Sequence, residues 1–221
     1  MRIDHVIYGT HDLDVAEARI ETDLWLGAVA GGRHEGLGTH NRIVPLRDGS
    51  FVELLAIADE QEAKGSPLGA AFLARIAQGD GLLGWAVAVD DVESVAARLG
   101  TSVSAVGRQG MTASLTGVAE SLAEPYLPFF IQRGATRFPP DAERAITWIE
   151  VAGDPERLKR WLGRVALPVR VVDGRPGVRA VAIGQREMRN APGIHPSPSP
   201  DGDDAVRAPA LDDNPPASSE R

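Results

Sequence analysis

The chain is organised around GGRHEGLGTHNRIVPL (residues 31–46), which is followed closely by FVELL (residues 51–55). The first stretch holds two of the five histidines of the chain together with four glycines, and short apolar runs follow it. Its polar residues do not follow the pattern of a surface helix, in which one stripe is apolar and the rest polar. We therefore expect the functional site in this part of the sequence.

The composition bounds the class of protein. With 221 residues, the chain forms either one large domain or two small ones. Its residues are 43% hydrophobic and 24% charged, as in ordinary soluble globular proteins. The formal net charge is -8, so the mean field of the protein repels phosphate backbones and anionic lipid surfaces. We expect neither nucleic acid nor a membrane as a partner.

The chain has no cysteine, which excludes disulfides, thiolate metal sites and cysteine nucleophiles. Met1 leads directly into RIDHVIY (residues 2–8), without the basic and apolar regions of a signal peptide. No run of about 18 apolar residues, the length that spans a bilayer, is present. These features predict a cytoplasmic protein.

Residues 1–58 predict a module with the order β-α-β-β-β. A strand over residues 3–9 is followed by a helix that begins at Asp12 or Asp14 and ends near Leu24. A weaker strand is expected at residues 26–30. Strands at residues 41–46 and 51–57 are joined by a turn that contains Asp48-Gly49, a strong hairpin signal.

The same order of elements returns further along the chain. A linker over residues 59–81 contains a helix, and residues 82–134 then predict a second βαβββ module. Residues 145–184 predict a partial third module, and residues 190–221 predict a disordered tail because they have little apolar surface to bury. The fold class is therefore α+β, in which each module supplies a curved sheet that needs the other to close over it.

His5 and Glu53 are the sharpest pair of candidate functional residues. Alternation along the first strand places Ile3, His5 and Ile7 on one face and Asp4 on the other. Glu53 alternates in the same way in its own strand, so both side chains can point into one cavity. Imidazole and carboxylate are common ligands of divalent metals. In the alternative, His5 is hydrogen-bonded within the core and Glu53 pairs with a cation.

The glycine-rich stretch supplies the other polar candidates. His40 is a third metal ligand or a general base, because histidine titrates near neutrality. Asn41 can face the same cavity, and Arg33 and His34 lie at the other end of the turn, where Arg33 can hold a carboxylate or phosphate. For each of them the alternative is an exposed loop residue. Trp85 and Phe130 are either core residues or walls of the pocket.

These residues resemble the glyoxalase-like members of the vicinal oxygen chelate superfamily. The resemblance is carried by DHVIYG (residues 4–9), by residues 31–41 and 51–55, and by LPFFI (residues 127–131). It implies paired βαβββ modules that form a cupped, barrel-like sheet around a site. It also implies that His5 and Glu53 are the metal ligands of the first module. The second module departs from the pattern, because Gly84 or Trp85, and Phe130 or Gln132, occupy the corresponding positions.

The resemblance implies two classes of function. One is a metal-dependent lyase, isomerase or dioxygenase that acts on a small vicinal-oxygen substrate, with His5, Glu53 and His40 as ligands of Zn, Fe, Mn or Ni. Glu53 or His40 would then move a proton. The other is a metal-free module that binds or sequesters a small molecule against Trp85 and Phe130. In a third reading, the repeat serves dimerisation, so a homodimer is one expected assembly.

Overall fold

A computed structural model of the protein describes residues 1–108, 111–134 and 144–190. It contains twelve strands: β1 (Arg2–Gly9), β2 (Val29–His34), β3 (Thr39–Pro45), β4 (Phe51–Ile57), β5 (Gly81–Ala88), β6 (Val103–Arg108), β7 (Met111–Thr116), β8 (Phe129–Arg133), β9 (Ile146–Ala152), β10 (Val169–Val172), β11 (Gly177–Ile183) and β12 (Arg186–Arg189). The six helices are α1 (Leu13–Leu24), α2 (Glu60–Lys64), α3 (Pro67–Ile76), α4 (Val92–Leu99), α5 (Val118–Ala123) and α6 (Pro155–Leu162). Apart from Asn190, the tail predicted to be disordered lies outside the described residues.

Polar side chains at the helix starts explain where most helices begin. The carboxylate of Asp12 accepts hydrogen bonds from two backbone N–H groups of α1, and the carboxylate of Asp91 accepts one from the backbone N–H of Ser94 in α4. Ser66 caps α3, with Pro67 at the first helical position, as the sequence indicates. Of the two candidates for the first cap, Asp12 is therefore the residue that starts α1.

The first two modules form one eight-stranded sheet in the order β2-β3-β4-β1-β5-β8-β7-β6. In each module the first strand pairs in parallel with the last, as β1 does with β4 and β5 with β8. The two modules join where β1 and β5 run antiparallel. The sheet curls until its edge strands β2 and β6 approach each other. This arrangement confirms the predicted paired βαβββ modules and cupped sheet.

The two faces of this sheet are used differently. The outer face carries the main hydrophobic core, in which Val6, Leu54, Trp85 and Phe130 are fully buried. The inner face carries two smaller apolar clusters and most of the polar residues of interest. Side chains of α3 pack onto this inner face, so the helix in the predicted linker covers part of the cup.

Residues 144–190 form a second sheet in the order β10-β9-β11-β12, which reaches Arg189 and so extends beyond the predicted residue 184. Its elements follow the βαβββ order, but β10, the strand directly after the helix, pairs in parallel with β9. The unit docks on the outer face. The indole N–H of Trp161 donates to the carbonyl oxygen of Pro128 at 2.8 Å.

The glycine-rich stretch is more regular than the sequence indicates. Strand β2 begins at Val29 and runs through Gly31 and Gly32 to His34, whereas the sequence pattern predicts a strand at residues 26–30 followed by a turn. The reason is a close approach. The ladder between β2 and β3 has a bulge between Ala30 and Arg33, where Gly31 and Gly32 lie. A Cβ atom on Gly31 would lie 2.1 Å from the carbonyl oxygen of Asn41, so glycine lets β2 stay this close to β3 through the bulge.

We expect Gly153→Ala to destabilise the contact between the second sheet and the second module. A Cβ atom at Gly153 would lie 2.4 Å from the buried ring of Tyr126, and such overpacking costs about 1–3 kcal/mol. Urea unfolding measures the loss. The matched control is Gly27→Ala, because an added Cβ there meets no atom within 4 Å. Equal stability of the two variants would contradict this packing.

Candidate functional site

His5 lies on the inner face of the cup, near the junction of the two modules. Its side chain is buried, with 3% of the residue exposed. The ring of Phe51 stacks on the imidazole with 4.5 Å between centroids, and the ring of Phe129 meets it edge-on at 5.5 Å. These two aromatic rings, one from each module, restrict the orientation of the imidazole.

The carboxylate of Asp4 also holds this ring. The pairing of β1 with β5 shifts register between Ile3 and His5, which brings Oδ2 of Asp4 to 2.7 Å from Nδ1 of His5. Strict alternation, the basis of the sequence prediction, places these two residues on opposite faces. The bulge is the reason for the difference, and Ile3 packs into the outer core.

Arg133 completes the support of His5 from the other module. Its Nε and Nη2 donate to Oδ2 of Asp4 at 2.9 and 2.8 Å, and its guanidinium lies 4.9 Å from the centroid of Phe51. Burial alone raises the pKa of Asp4, but the hydrogen bonds and charges of His5 and Arg133 lower it to about 2. Since ionised Asp4 only accepts hydrogen bonds, Nδ1 of His5 carries the proton between them.

The opposite side of the His5 ring faces Glu53. Nε2 of His5 lies 3.8 Å from Oε2 of Glu53, and Nε2 of His34 lies 3.8 Å from Oε1. The side-chain amide of Asn41 donates from Nδ2 to Oε1 of Glu53 at 2.5 Å and lies 3.3 Å from Nε2 of His34. The site is therefore a row of His5, Glu53, Asn41 and His34 along β1, β4, β3 and β2.

Gly31 positions the amide of Asn41. Oδ1 of Asn41 accepts the backbone N–H of Gly32 at 3.0 Å, and this contact turns Nδ2 towards Glu53. The space for this arrangement exists because Gly31 has no side chain, since a Cβ there would also lie 2.1 Å from Oδ1 of Asn41. The glycines before the site thus serve to orient a polar side chain within it.

The structure brings some of the predicted residues together and separates others. His34 and Asn41 join His5 and Glu53, whereas His40 points to the other face of β3 and lines a surface cleft of about 580 Å³ with Arg33. Arg33 pairs there with Glu62. His34 pairs with Thr39 across the hairpin of β2 and β3, and this pairing places it in the row.

Trp85 and Phe130 lie on the outer face of the sheet, away from this row. Both side chains are completely buried in the main core, and the indole N–H of Trp85 donates to the carbonyl oxygen of Tyr126 at 3.1 Å. Gln132 accepts the backbone N–H of Val92 at the start of α4. The second module therefore presents other side chains, chiefly Phe129, to the inner face.

The residues of this row do not form a complete site for a resident divalent metal. Within residues 1–108, 111–134 and 144–190, no group of three or more histidine, aspartate or glutamate side chains is placed to hold one ion. The amide of Asn41 occupies the space between His34 and Glu53. His5 and Glu53 then remain as two donors, whereas metal sites of this kind use three or four protein ligands.

The comparison with protein families supports the fold assignment. The family model described as "Glyoxalase-like domain" matches residues 3–166. The chain belongs to the glyoxalase-like domain family. This family lies within the vicinal oxygen chelate superfamily, so the match confirms the resemblance that the sequence motifs carry. A search of curated proteins gave no match.

The chain is similar to several solved structures at low sequence identity, and the first of them shows the same fold. A hypothetical protein from Staphylococcus aureus is 16% identical, with a TM-score of 0.62, and the match covers 82% of this chain and 90% of that protein. Methylmalonyl-CoA epimerase from Streptomyces coelicolor, in complex with 2-nitronate-propionyl-CoA, is 20% identical, with a TM-score of 0.47 and coverage of 63% and 99%. The Mycobacterium tuberculosis epimerase is 19% identical, with a TM-score of 0.45 and coverage of 62% and 89%.

Asp4→Asn should reduce stability in a pH-dependent way. The pKa of Asp4 is lower in the folded chain than the ordinary 3.8, so its contribution is present above pH 3.8 and is lost as the pH falls towards 2. A shift of this size corresponds to about 2 kcal/mol. We expect the variant to lose that amount at pH 7 and almost none at pH 2, as measured by urea unfolding.

The control for that measurement is Asp173→Asn, which changes an exposed carboxylate. It should leave stability within about 0.5 kcal/mol at both pH values. A loss for Asp4→Asn that is the same at pH 7 and pH 2 would contradict the charge-based role of Asp4.

Gly31→Ala should displace Asn41, although Gly31 is not itself one of the four residues of the row. The added methyl group must displace Asn41, which then no longer holds Oε1 of Glu53. We expect a loss of about 1–3 kcal/mol in stability, together with a changed NMR signal of the Asn41 side-chain amide. An unchanged amide signal would show that Gly31 does not position Asn41. Gly27→Ala again serves as the control.

Proposed function

We propose that this glyoxalase-like protein is an enzyme that moves a proton at a carbon next to a carbonyl group in a small vicinal-oxygen compound. The proposed reaction class is isomerisation or elimination. The observation that carries the proposal is the pair formed by Nε2 of His5 and Oε2 of Glu53, which face each other at 3.8 Å without a hydrogen bond between them. In the neutral ring, Nε2 is a proton acceptor because Nδ1 bears the proton.

The chemistry follows from two proton acceptors on one face of a cup. A substrate C–H bond that is made acidic by an adjacent carbonyl breaks, Glu53 takes the proton, and the electron pair moves onto the carbonyl oxygen as an enolate. The proton then returns to the same carbon or to its neighbour, or a group leaves from the next carbon. General acid–base catalysis of this kind contributes roughly 10²–10⁴-fold in rate.

We assign Glu53 as the catalytic base, because the amide of Asn41 holds its other oxygen and Oε2 faces His5. His5 is the second proton-transfer group. Asn41 acts here by holding Glu53, and Nε2 of His34 lies 3.8 Å from the same carboxylate oxygen. Phe51 and Phe129 pack against the ring of His5 and reduce its contact with water, which strengthens its electrostatic interactions.

The described residues favour proton transfer over oxygen chemistry. A dioxygenase of this superfamily depends on a redox-active metal, and the donors of this row do not converge on one ion. In the proposed reaction, side chains of the protein carry out each step without Zn, Fe, Mn or Ni. The small apolar cavity under α3 keeps the metal-free binding module as a second candidate, because such a cavity takes up part of a ligand without any chemistry.

The test is exchange of substrate C–H for deuterium in D₂O, followed by NMR on a panel of α-ketoaldehydes, hydroxyketones and oxo acids. We expect the protein to catalyse exchange after dialysis against a chelator. Glu53→Gln and His5→Gln should each reduce the rate by roughly 10²–10⁴-fold, since each removes a proton-transfer group. The control is His11→Gln, whose exposed ring pairs with Asp80 outside the row.

Two results would overturn this proposal. Exchange at an unchanged rate in Glu53→Gln and His5→Gln would show that these two residues take no part in the reaction. Activity that disappears on chelation and returns with Zn, Fe, Mn or Ni would show that a metal completes the site after all.

A further inference from the structure

Arg75 is a buried guanidinium in the helix that covers the cup. It lies near the end of α3, and only 6% of the residue is exposed. Its hydrogen bonds go to backbone carbonyl oxygens: Nη1 donates to Leu83 in β5 at 3.3 Å, and Nη2 donates to Ser121 at 3.5 Å and to Leu122 in α5. The side chain therefore links α3 to the sheet and to α5.

No carboxylate neutralises this charge within the described residues. The guanidiniums of Arg33, Arg42, Arg133, Arg157 and Arg189 each pair with an aspartate or glutamate, but Arg75 does not. Burial lowers the pKa of Arg75 to about 10, with no nearby negative charge to oppose the effect. The group still carries its charge at neutral pH. A buried unpaired charge is costly, so its presence calls for an explanation.

Arg75 borders a partly open apolar cavity of about 50 Å³, which is walled mainly by Ile7, Phe72, Leu83 and Phe129. By the criterion that one water needs roughly 10–15 Å³, this space takes a group of a few heavy atoms. Gly84 also lines it, and a Cβ built on Gly84 meets no atom within 4 Å. The cavity is thus an apolar space with one cationic wall.

This cavity adjoins the proposed catalytic pair. Ile7 of β1 pairs directly with Glu53 of β4, and Phe129 meets the ring of His5 at 5.5 Å. One layer of side chains therefore separates the cavity from both proton-transfer groups. A ligand that reaches from the row past Phe129 would place its far end beside Arg75.

We propose that the cavity beside Arg75 is a subsite for a carboxylate group. A guanidinium binds a carboxylate through charge-assisted hydrogen bonds, and the apolar walls strengthen that interaction by excluding water. The identification of this ligand as the substrate rests on the proposed function. The substrate class is then a small carbonyl compound that carries a carboxylate at the end away from the reacting carbon. Binding of the carboxylate itself does not depend on turnover.

The competing explanation is that Arg75 only ties α3 and α5 to the sheet. Both explanations predict that Arg75→Met lowers stability, so stability does not distinguish them. Gly84→Val does, because it leaves Arg75 and its carbonyl contacts in place and fills the cavity with side-chain atoms. If Arg75 only ties the helices to the sheet, Gly84→Val should not change the affinity of the protein for an anion.

The experiment is a titration of the ¹⁵N-labelled protein with acetate and propionate, with acetamide and propionamide as neutral isosteres, followed by NMR. We expect the carboxylates to bind at least roughly tenfold more tightly than the amides, the size of one charge-assisted hydrogen bond. Gly84→Val and Arg75→Met should each lose that preference, and Arg75→Lys should retain part of it. Arg164→Met, which removes an exposed guanidinium, is the matched control and should bind as the unaltered protein does.

Equal binding of carboxylates and amides, or carboxylate binding that Gly84→Val leaves unchanged, would overturn the subsite. If Arg75→Met does not fold, the Gly84→Val titration still decides. The readout is independent of catalysis. Carboxylate binding without proton exchange in any oxo acid would support the subsite and overturn the proposed function. Proton exchange without any preference for carboxylates over amides would support the proposed function and overturn the subsite.

Discussion

The hydrogen bonds from Arg133 through Asp4 to His5 are the interaction on which the site depends. They join the end of β8 to the start of β1, so they form only when the two modules close into one sheet. Because the same contacts fix which nitrogen of His5 carries the proton, the fold and the chemistry of the ring are set together. Phe51 reinforces this link, because its ring stacks on His5 and also lies 4.9 Å from the guanidinium of Arg133.

The two modules contribute unequally to the inner face. The first supplies the polar row of His5, Glu53, Asn41 and His34, whereas the second supplies Phe129 and the cavity wall around Gly84. Within the described residues, the second module adds Arg133, which donates to Asp4 and also lies 3.4 Å from Nδ1 of His5. An internal repeat has thus diverged into a half that carries polar groups and a half that shapes an apolar space. No described helix is long and apolar enough to cross a bilayer.

Much of the fold could be predicted from the sequence, because alternation, caps and the repeated order of elements are local signals. Such signals predict strands β1 and β4 and the position of His5 and Glu53 on one face of the sheet. The bulge that brings Asp4 beside His5 depends on the pairing of β1 with β5, and the hydrogen bond from Arg133 to Asp4 joins residues 129 positions apart. The sequence predicts His34 in a turn, because Gly31 and Gly32 are typical of turns. In the structure these two glycines belong to β2, where they pack closely against Asn41. Trp85 and Phe130 lie on the outer face. The sequence did not decide this, because the alignment of the second module with the first was uncertain by one residue.

The tautomer of His5 tests the central claim most directly. Long-range ¹H–¹⁵N NMR, at a pH where the ring is neutral, distinguishes a protonated Nδ1 from a protonated Nε2. The account predicts the proton on Nδ1 in the unaltered protein, with Nε2 as an acceptor facing Glu53, and loss of this preference in Asp4→Asn. A proton on Nε2 in the unaltered protein would contradict the arrangement of two facing acceptors, and with it the proposed proton transfer.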